Sequence, residues 1–170
     1  MKVFLIGFLG AGKTTIGKYA ARHNELSFLD LDMRIEQKTG MEVRDIFKQY
    51  GEDHFRELER KTLHEVCDLE GDWLISCGGG TPCFFDNMDY MNARGLTLYL
   101  DLSAARLTDR LRNSASKRPL IAHLKGDLQV YVHKKLMQRA PMYAQAQVIV
   151  PEGQANKKGV RDLLEEWLRR

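Results

Sequence analysis

Residues 2–15 read KVFLIGFLGAGKTT, and they decide the architecture. The apolar run Val3 to Ile6, led in by Lys2, predicts a short buried strand. Directly after it, Gly7, Gly10, Gly12, Lys13 and Thr14 fill the pattern GxxxxGK(S/T). Glycines let the backbone turn tightly so that its N–H groups face phosphate oxygens, the lysine reaches the outer phosphates, and the Thr14 hydroxyl suits a magnesium ion. The segment from Ile16 to His23 is helix-compatible, and a helix N-terminus adds a favourable dipole for anions.

The chain around this loop has 170 residues, enough for one domain with a sizeable core. Its net charge is +3 from 26 basic and 23 acidic residues, so no global field marks a nucleic-acid binder, and a small anionic substrate is expected. Cys67, Cys77 and Cys83 are odd in number and form no CxxC pair, which fits packing residues in a reducing compartment rather than a disulfide framework or a zinc site. The sequence opens on the strand with no basic, apolar leader and has no run long enough to span a bilayer. A cytoplasmic protein is expected.

Working outward, strands are predicted at Leu26 to Leu31, Trp73 to Cys77, Leu96 to Leu100 and Gln147 to Val150, alternating with helices. That alternation implies an α/β fold, a mainly parallel sheet with helices on both faces. The second strand ends in Asp30-Leu31-Asp32, two carboxylates where ligands collect in open α/β sheets. The competing reading makes Asp32 a cap for a helix beginning at Met33. Asp101, closing the fourth strand, rivals Asp30 as the carboxylate beside the metal. Asp30 is preferred because Asp101-Leu102-Ser103 reads as the start of a helix from Ala104 to Arg112.

Val43, Ile46, Phe47 and Tyr50 mark one helical face, Gly51-Glu52-Asp53 interrupts it, and Phe55, Leu58, Thr62 and Val66 resume the period. Between them, in HFRELE, Arg56 and Glu59 lie one helical turn apart, a spacing that usually means a solvated ion pair. Gly78-Gly79-Gly80 follows the third strand and lets another group approach the backbone closely. A helix is expected from Phe84 to Arg94, closed by Gly95. Residues 110–125, RLRNSASKRPLIAHLK, show no sustained period and read as a basic lid loop. An amphipathic helix is expected from Asp127 to Arg139, and a final one carries Val160, Leu163, Leu164, Trp167 and Leu168.

The loop, the paired aspartates, HFRELE, the triple glycine, KRPLI and QRAPMY, taken in order, resemble the shikimate kinase family over nearly the whole chain. The resemblance implies a nucleoside monophosphate kinase fold, three layers around five parallel strands in the order 2-3-1-4-5, within a single domain spanning residues 1–170, with a lid near residues 112–124. It implies transfer of the γ-phosphoryl group of ATP to the 3-hydroxyl of shikimate, with magnesium, on the route to chorismate and aromatic amino acids. By the same resemblance Gly10, Ala11, Gly12, Lys13, Thr14 and Thr15 hold the ATP phosphates. Thr14 binds magnesium, with Asp30 contributing through water.

Asp32 would contact the substrate hydroxyls and is the candidate base, while Arg56 and Arg139 would pair with the shikimate carboxylate. Gly79 would offer a backbone N–H, Glu59 would hold Arg56, and Arg118 would be the lid arginine that closes on the phosphates. A monomer is expected, with no nucleic-acid or membrane partner. Three stretches fall outside the pattern: Arg110 and Arg112 compete for the adenine, residues 151–158 cannot be placed by motif, and neither can Thr81-Pro82-Cys83-Phe84-Phe85. Gluconate kinases are the nearest rival. A GTP switch or silent nucleotide-binding module is the rival from another class, although Asn156-Lys157-Lys158-Gly159 lacks the aspartate of a guanine-reading NKxD.

Overall fold

A computed structural model describes residues 1–114 and 128–169. Its centre is β1 (Lys2–Ile6), buried along its whole length. Around it lie β2 (Ser27–Asp30), β3 (Trp73–Ser76), β4 (Leu96–Asp101) and β5 (Val148–Pro151). The sheet order is β2-β3-β1-β4-β5, and every neighbouring pair is parallel. Strands buried on both faces carry near-continuous apolar runs, and VFLI in β1 and LTLYL in β4 do so.

The crossovers run through α1 (Lys13–His23), α2 (Leu31–Thr39), α3 (Val43–Cys67), α4 (Asn87–Arg94), α5 (Ala104–Ser114) and α6 (Leu128–Tyr143), and α7 (Lys157–Leu168) follows β5. Among them α1 packs on α7, α2 on α3, and α5 on α6. One large core joins the sheet to most helices, and a satellite of Ile35, Ile46 and Phe55 binds α2 to α3. The chain leaves β1 for one side of the sheet and later crosses to β4 on the other. That switch point opens a crevice beyond the carboxyl ends of β1 and β3.

Several boundaries bear on the site. The helix after β2 starts at Leu31, and its cap is Asp30, whose Oδ1 accepts from the Met33 N–H at 3.3 Å. Asp32 is therefore not the cap; it lies in the first turn. The expected helix pair is present: α3 is two helical stretches that meet at Gly51, where φ is 84° and ψ 174°. The helix before Gly95 begins only at Asn87, preceded by a short 3₁₀ turn at Thr81–Cys83. Finally, α6 runs past Arg139 and through Pro141 to Tyr143. The expected lid overlaps α5 at residues 112–114; the remainder, including Arg118, lies outside the described residues.

Candidate active site

The phosphate loop is built by glycines whose φ values are 145° at Gly7, 86° at Gly10 and 90° at Gly12, a region closed to most side chains. Gly12 precedes α1, which has no side-chain cap and no acidic residue in its first turn. The N-terminal N–H groups there have no carbonyl partner within the helix, and the positive end of its dipole faces the crevice. Lys13 Nζ donates to the carbonyls of Gly7 at 2.8 Å and Phe8 at 3.0 Å, so its charge lies over the loop. Thr14 Oγ1 donates to Asp30 Oδ2 at 2.7 Å. A hydroxyl and a carboxylate held together beside a phosphate loop form the all-oxygen donor set that a hard divalent cation takes.

Two cavities meet here. The first, about 250 Å³, is lined by Leu9, Gly10 and Gly12 to Thr15 together with Asp30, Asp32 and the start of the triple glycine. The second, about 270 Å³, lies toward α3 and α6 and receives Arg56, Arg139, Glu52, Glu59, Phe47 and Lys135. Leu9, Asp32, Gly78 and Gly79 line both. Asp32 Oδ1 is out of solvent and has no hydrogen-bond partner. Burial foremost, then the negative charges of Glu59 and Asp30, push this carboxyl up to about 7 against the pull of Lys13 and Arg56.

The arginine cluster is more deeply set than its spacing suggested. Arg56 is 7% exposed and Glu59 0%, so their 2.7 Å ion pair is buried rather than solvated. Glu52 accepts from Arg56 Nε at 3.2 Å and Nη2 at 3.0 Å from the outer side. Arg139 arrives from α6, its guanidinium 5.5 Å from the Phe8 ring centroid.

The triple glycine is where α3 and α6 converge. A Cβ on Gly78 would lie 2.8 Å from Glu59 Oε1 and 2.9 Å from Asp32 Oδ1. One on Gly80 would lie 2.5 Å from Arg56 Nη2, and one on Gly79 would lie 3.4 Å from Arg139 Nη1. The space of the missing side chains is thus filled by the polar groups of the site.

Tyr143, one turn beyond Arg139 on the same face of α6, donates its hydroxyl to the Gly79 carbonyl. Burial foremost raises the pKa of its phenol, so the proton stays on the donor. Its place in QRAPMY was visible, but the expected end of the helix at Arg139 hid its reach. Lys135 was also missed, although one helical turn separates it from Arg139.

Arg110 and Arg112 are separated by geometry: Arg110 Nη1 donates to the Ala11 carbonyl at 2.9 Å, while Arg112 sits outside beside Asp109 at 3.8 Å. Asn156 caps α7 by accepting from the Gly159 N–H at 3.0 Å, which gives the first residue of the near-NKxD a structural task. Burial foremost raises the thiol pKa of Cys67, Cys77 and Cys83, as packing residues require. Among the described residues no helix is long and apolar enough to cross a membrane.

A sequence model described as shikimate kinase matches residues 9–168. The chain is 50% identical to the shikimate kinase of Phocaeicola vulgatus over 146 residues, 85% of this chain and 83% of the relative. Its structure is similar to that of shikimate kinase from Bacteroides thetaiotaomicron, with TM-score 0.90 and 39% identity across 100% of this chain and 99% of the other. A shikimate kinase from Acinetobacter baumannii, solved in complex with shikimate, aligns with TM-score 0.83 and 30% identity over 99% of this chain and 90% of that one.

Proposed function

The chain belongs to the shikimate kinase family, and from that premise we propose how its residues divide the work of phosphorylating shikimate. The reaction moves the γ-phosphoryl group of ATP to the 3-hydroxyl, giving shikimate 3-phosphate on the route to chorismate and aromatic amino acids. ATP phosphates sit in the cavity of residues 10–15, held by backbone N–H groups and by Lys13, which swings from its own loop carbonyls to the outer phosphates. Arg110, already against the loop, lies at the nucleotide side.

Thr14 and Asp30 would hold magnesium, Thr14 directly and Asp30 through water. Bound there, the ion would neutralise phosphate charge and orient the transferred group. Arg118 keeps the lid role that the resemblance implies. Shikimate occupies the second cavity, its carboxylate between Arg56 and Arg139, whose flat guanidinium groups suit two-pronged pairing. Gly79 offers its N–H to the ring substituents.

Asp32 carries the reading. It stands in the wall common to both cavities with an unpartnered oxygen. An acceptor there orients a substrate hydroxyl toward the phosphoryl group and takes its proton as the new bond forms. In a loose transition state this orientation counts as much as basicity. We read the working unit as a monomer acting in the cytoplasm.

The test is a coupled assay of ADP release with ATP and magnesium, run with shikimate, with gluconate and with no acceptor. Shikimate-dependent release is expected. Gluconate-dependent release would keep the phosphate loop and overturn the roles of Arg56, Arg139 and Asp32. Release with neither acid would return the chain to the binding-module reading.

A further inference from the structure

The stretch Thr81–Asp86, TPCFFD, takes no part in the scheme above, yet it is fastened along one face of α3. Thr81 is fully buried and its Oγ1 donates to Glu59 Oε1 at 2.5 Å. The other oxygen of Glu59 accepts from Arg56 Nη1 at 2.7 Å. The Phe84 ring lies against the same arginine, its centroid 4.1 Å from the guanidinium carbon. Phe85 follows with φ at 52°, a left-handed conformation that is costly for a bulky residue. Its ring centroid is 5.1 Å from the Arg60 guanidinium, and Asp86 pairs with Arg60 at 2.9 Å. Arg56, Glu59 and Arg60 stand at i, i+3 and i+4, so the segment grips one stripe of the helix.

We infer that Thr81 and Phe84 are positioning residues that set the angle at which Arg56 meets the shikimate carboxylate, an inference that rests on the role given to Arg56 above. A guanidinium on three methylenes has many orientations, and its two-pronged pairing depends on the plane it adopts. Glu59 fixes one edge of that plane, but only if Glu59 is itself fixed. A fully buried carboxylate needs a donor for each oxygen. Arg56 serves one oxygen and Thr81 the other.

A neutral hydroxyl suits this place better than a second cation, because it orients Glu59 without competing with Arg56 for its charge. Phe84 then acts on the face of the guanidinium, where an aromatic ring restricts tilt and takes no N–H donor away. The edges remain for carboxylates. Strain at Phe85 is held by Arg60, which keeps Phe84 and Thr81 in register with the turn of α3 that carries Arg56.

The experiment compares wild type with Thr81→Val, Thr81→Ser and Phe84→Leu in steady-state kinetics for both substrates, with Tm recorded alongside. Valine keeps the shape and removes the donor, so KM for shikimate should rise about tenfold with kcat and KM for ATP within about twofold. Serine restores the hydroxyl and should bring KM back to within about twofold of wild type. Phe84→Leu, at a half-buried site outside the main core, should raise KM for shikimate about fivefold, and it carries the test if Thr81→Val does not fold.

Unchanged KM in Thr81→Val or in Phe84→Leu overturns the inference. So does a lowered Tm accompanied by parallel losses for shikimate and ATP, since that pattern belongs to a merely structural contact. Wild type lacking shikimate-dependent turnover would instead overturn the reading of the site, and the positioning role with it.

Discussion

The role proposed for Asp32 sets catalysis against stability. Its carboxyl is pushed up to about 7, so the ligand-free folded protein holds a proton that the unfolded chain has already released. Between about pH 4 and pH 7 the folded state binds more protons than the unfolded state, and stability falls as pH rises through that window. Asp32→Asn removes this titration. Relative to wild type it should gain roughly 2–4 kcal/mol on going from pH 4.5 to pH 8 without ligands, while turnover is lost, because an amide neither carries the charge nor takes the proton. Urea unfolding at the two pH values is the measurement; a difference that does not widen would show that burial is not what sets this carboxyl. Arg139→Ala belongs to the other cavity. Truncating one partner of a hydrogen-bonded charge pair costs about 2–5 kcal/mol, so KM for shikimate should rise at least about thirtyfold with KM for ATP nearly unchanged. A defect confined to ATP would mean that Arg139 serves the nucleotide.

Each site side chain is delivered by an element whose course was only partly visible in the spacing of its apolar residues. The 3.6-residue period in α3 was clear on both sides of Gly51, and the interruption at Gly51-Glu52-Asp53 was clear too. What periodicity could not express is that the kink presents Arg56 and Glu59 inward, because an i,i+3 pair looks the same in sequence whether it is solvated or buried. Gly51 sits at φ 84° and ψ 174° with nothing within 4 Å of the position a Cβ would take. Gly51→Ala should therefore cost about 1–3 kcal/mol through backbone strain alone. It should also raise KM for shikimate, since α3 must bend differently to relieve that strain. Denaturant unfolding and kinetics would check this together, and an alanine variant as stable as wild type would remove the kink from the account. In α6, the helix is expected to end at Arg139, just before Ala140-Pro141, but the Ala144 N–H still reaches the Ala140 carbonyl at 2.9 Å, and the added turn brings Tyr143 to Gly79.

At the scale of the molecule, two cavities share a wall, one formed by the loop after β1 and the other lined from α3 and α6. Ligands that bind only the folded state raise its stability by mass action, about 2.7 kcal/mol at a hundredfold excess over Kd. ATP with magnesium and shikimate should each raise Tm in the wild type. Lys13→Ala should lose the nucleotide's shift and keep shikimate's, whereas Arg139→Ala should do the reverse. Thermal unfolding with each ligand alone makes the comparison. If both variants lost both shifts, the two cavities would have to be treated as one coupled site.

Local chemistry was legible in the chain itself. The phosphate loop is contiguous, its glycines and lysine act through their own backbone and their own helix, and the alternation of strands and helices follows from periods of two and 3.6. The order 2-3-1-4-5 was reached through resemblance, and the strand pairing agrees with it. Other features depended on groups far apart in sequence. Which aspartate caps α2 turned on where β2 ends, and Asp30 took that place while Asp32 was left facing both cavities. Gly95 was legible as a helix stop, yet the close approach of the Lys2 carbonyl to the space of its missing Cβ is a contact across the sheet. Thr81 meets Glu59 across 22 residues and Tyr143 meets Gly79 across 64. No local pattern encodes such pairings, because they come into being only when the helices pack against the sheet.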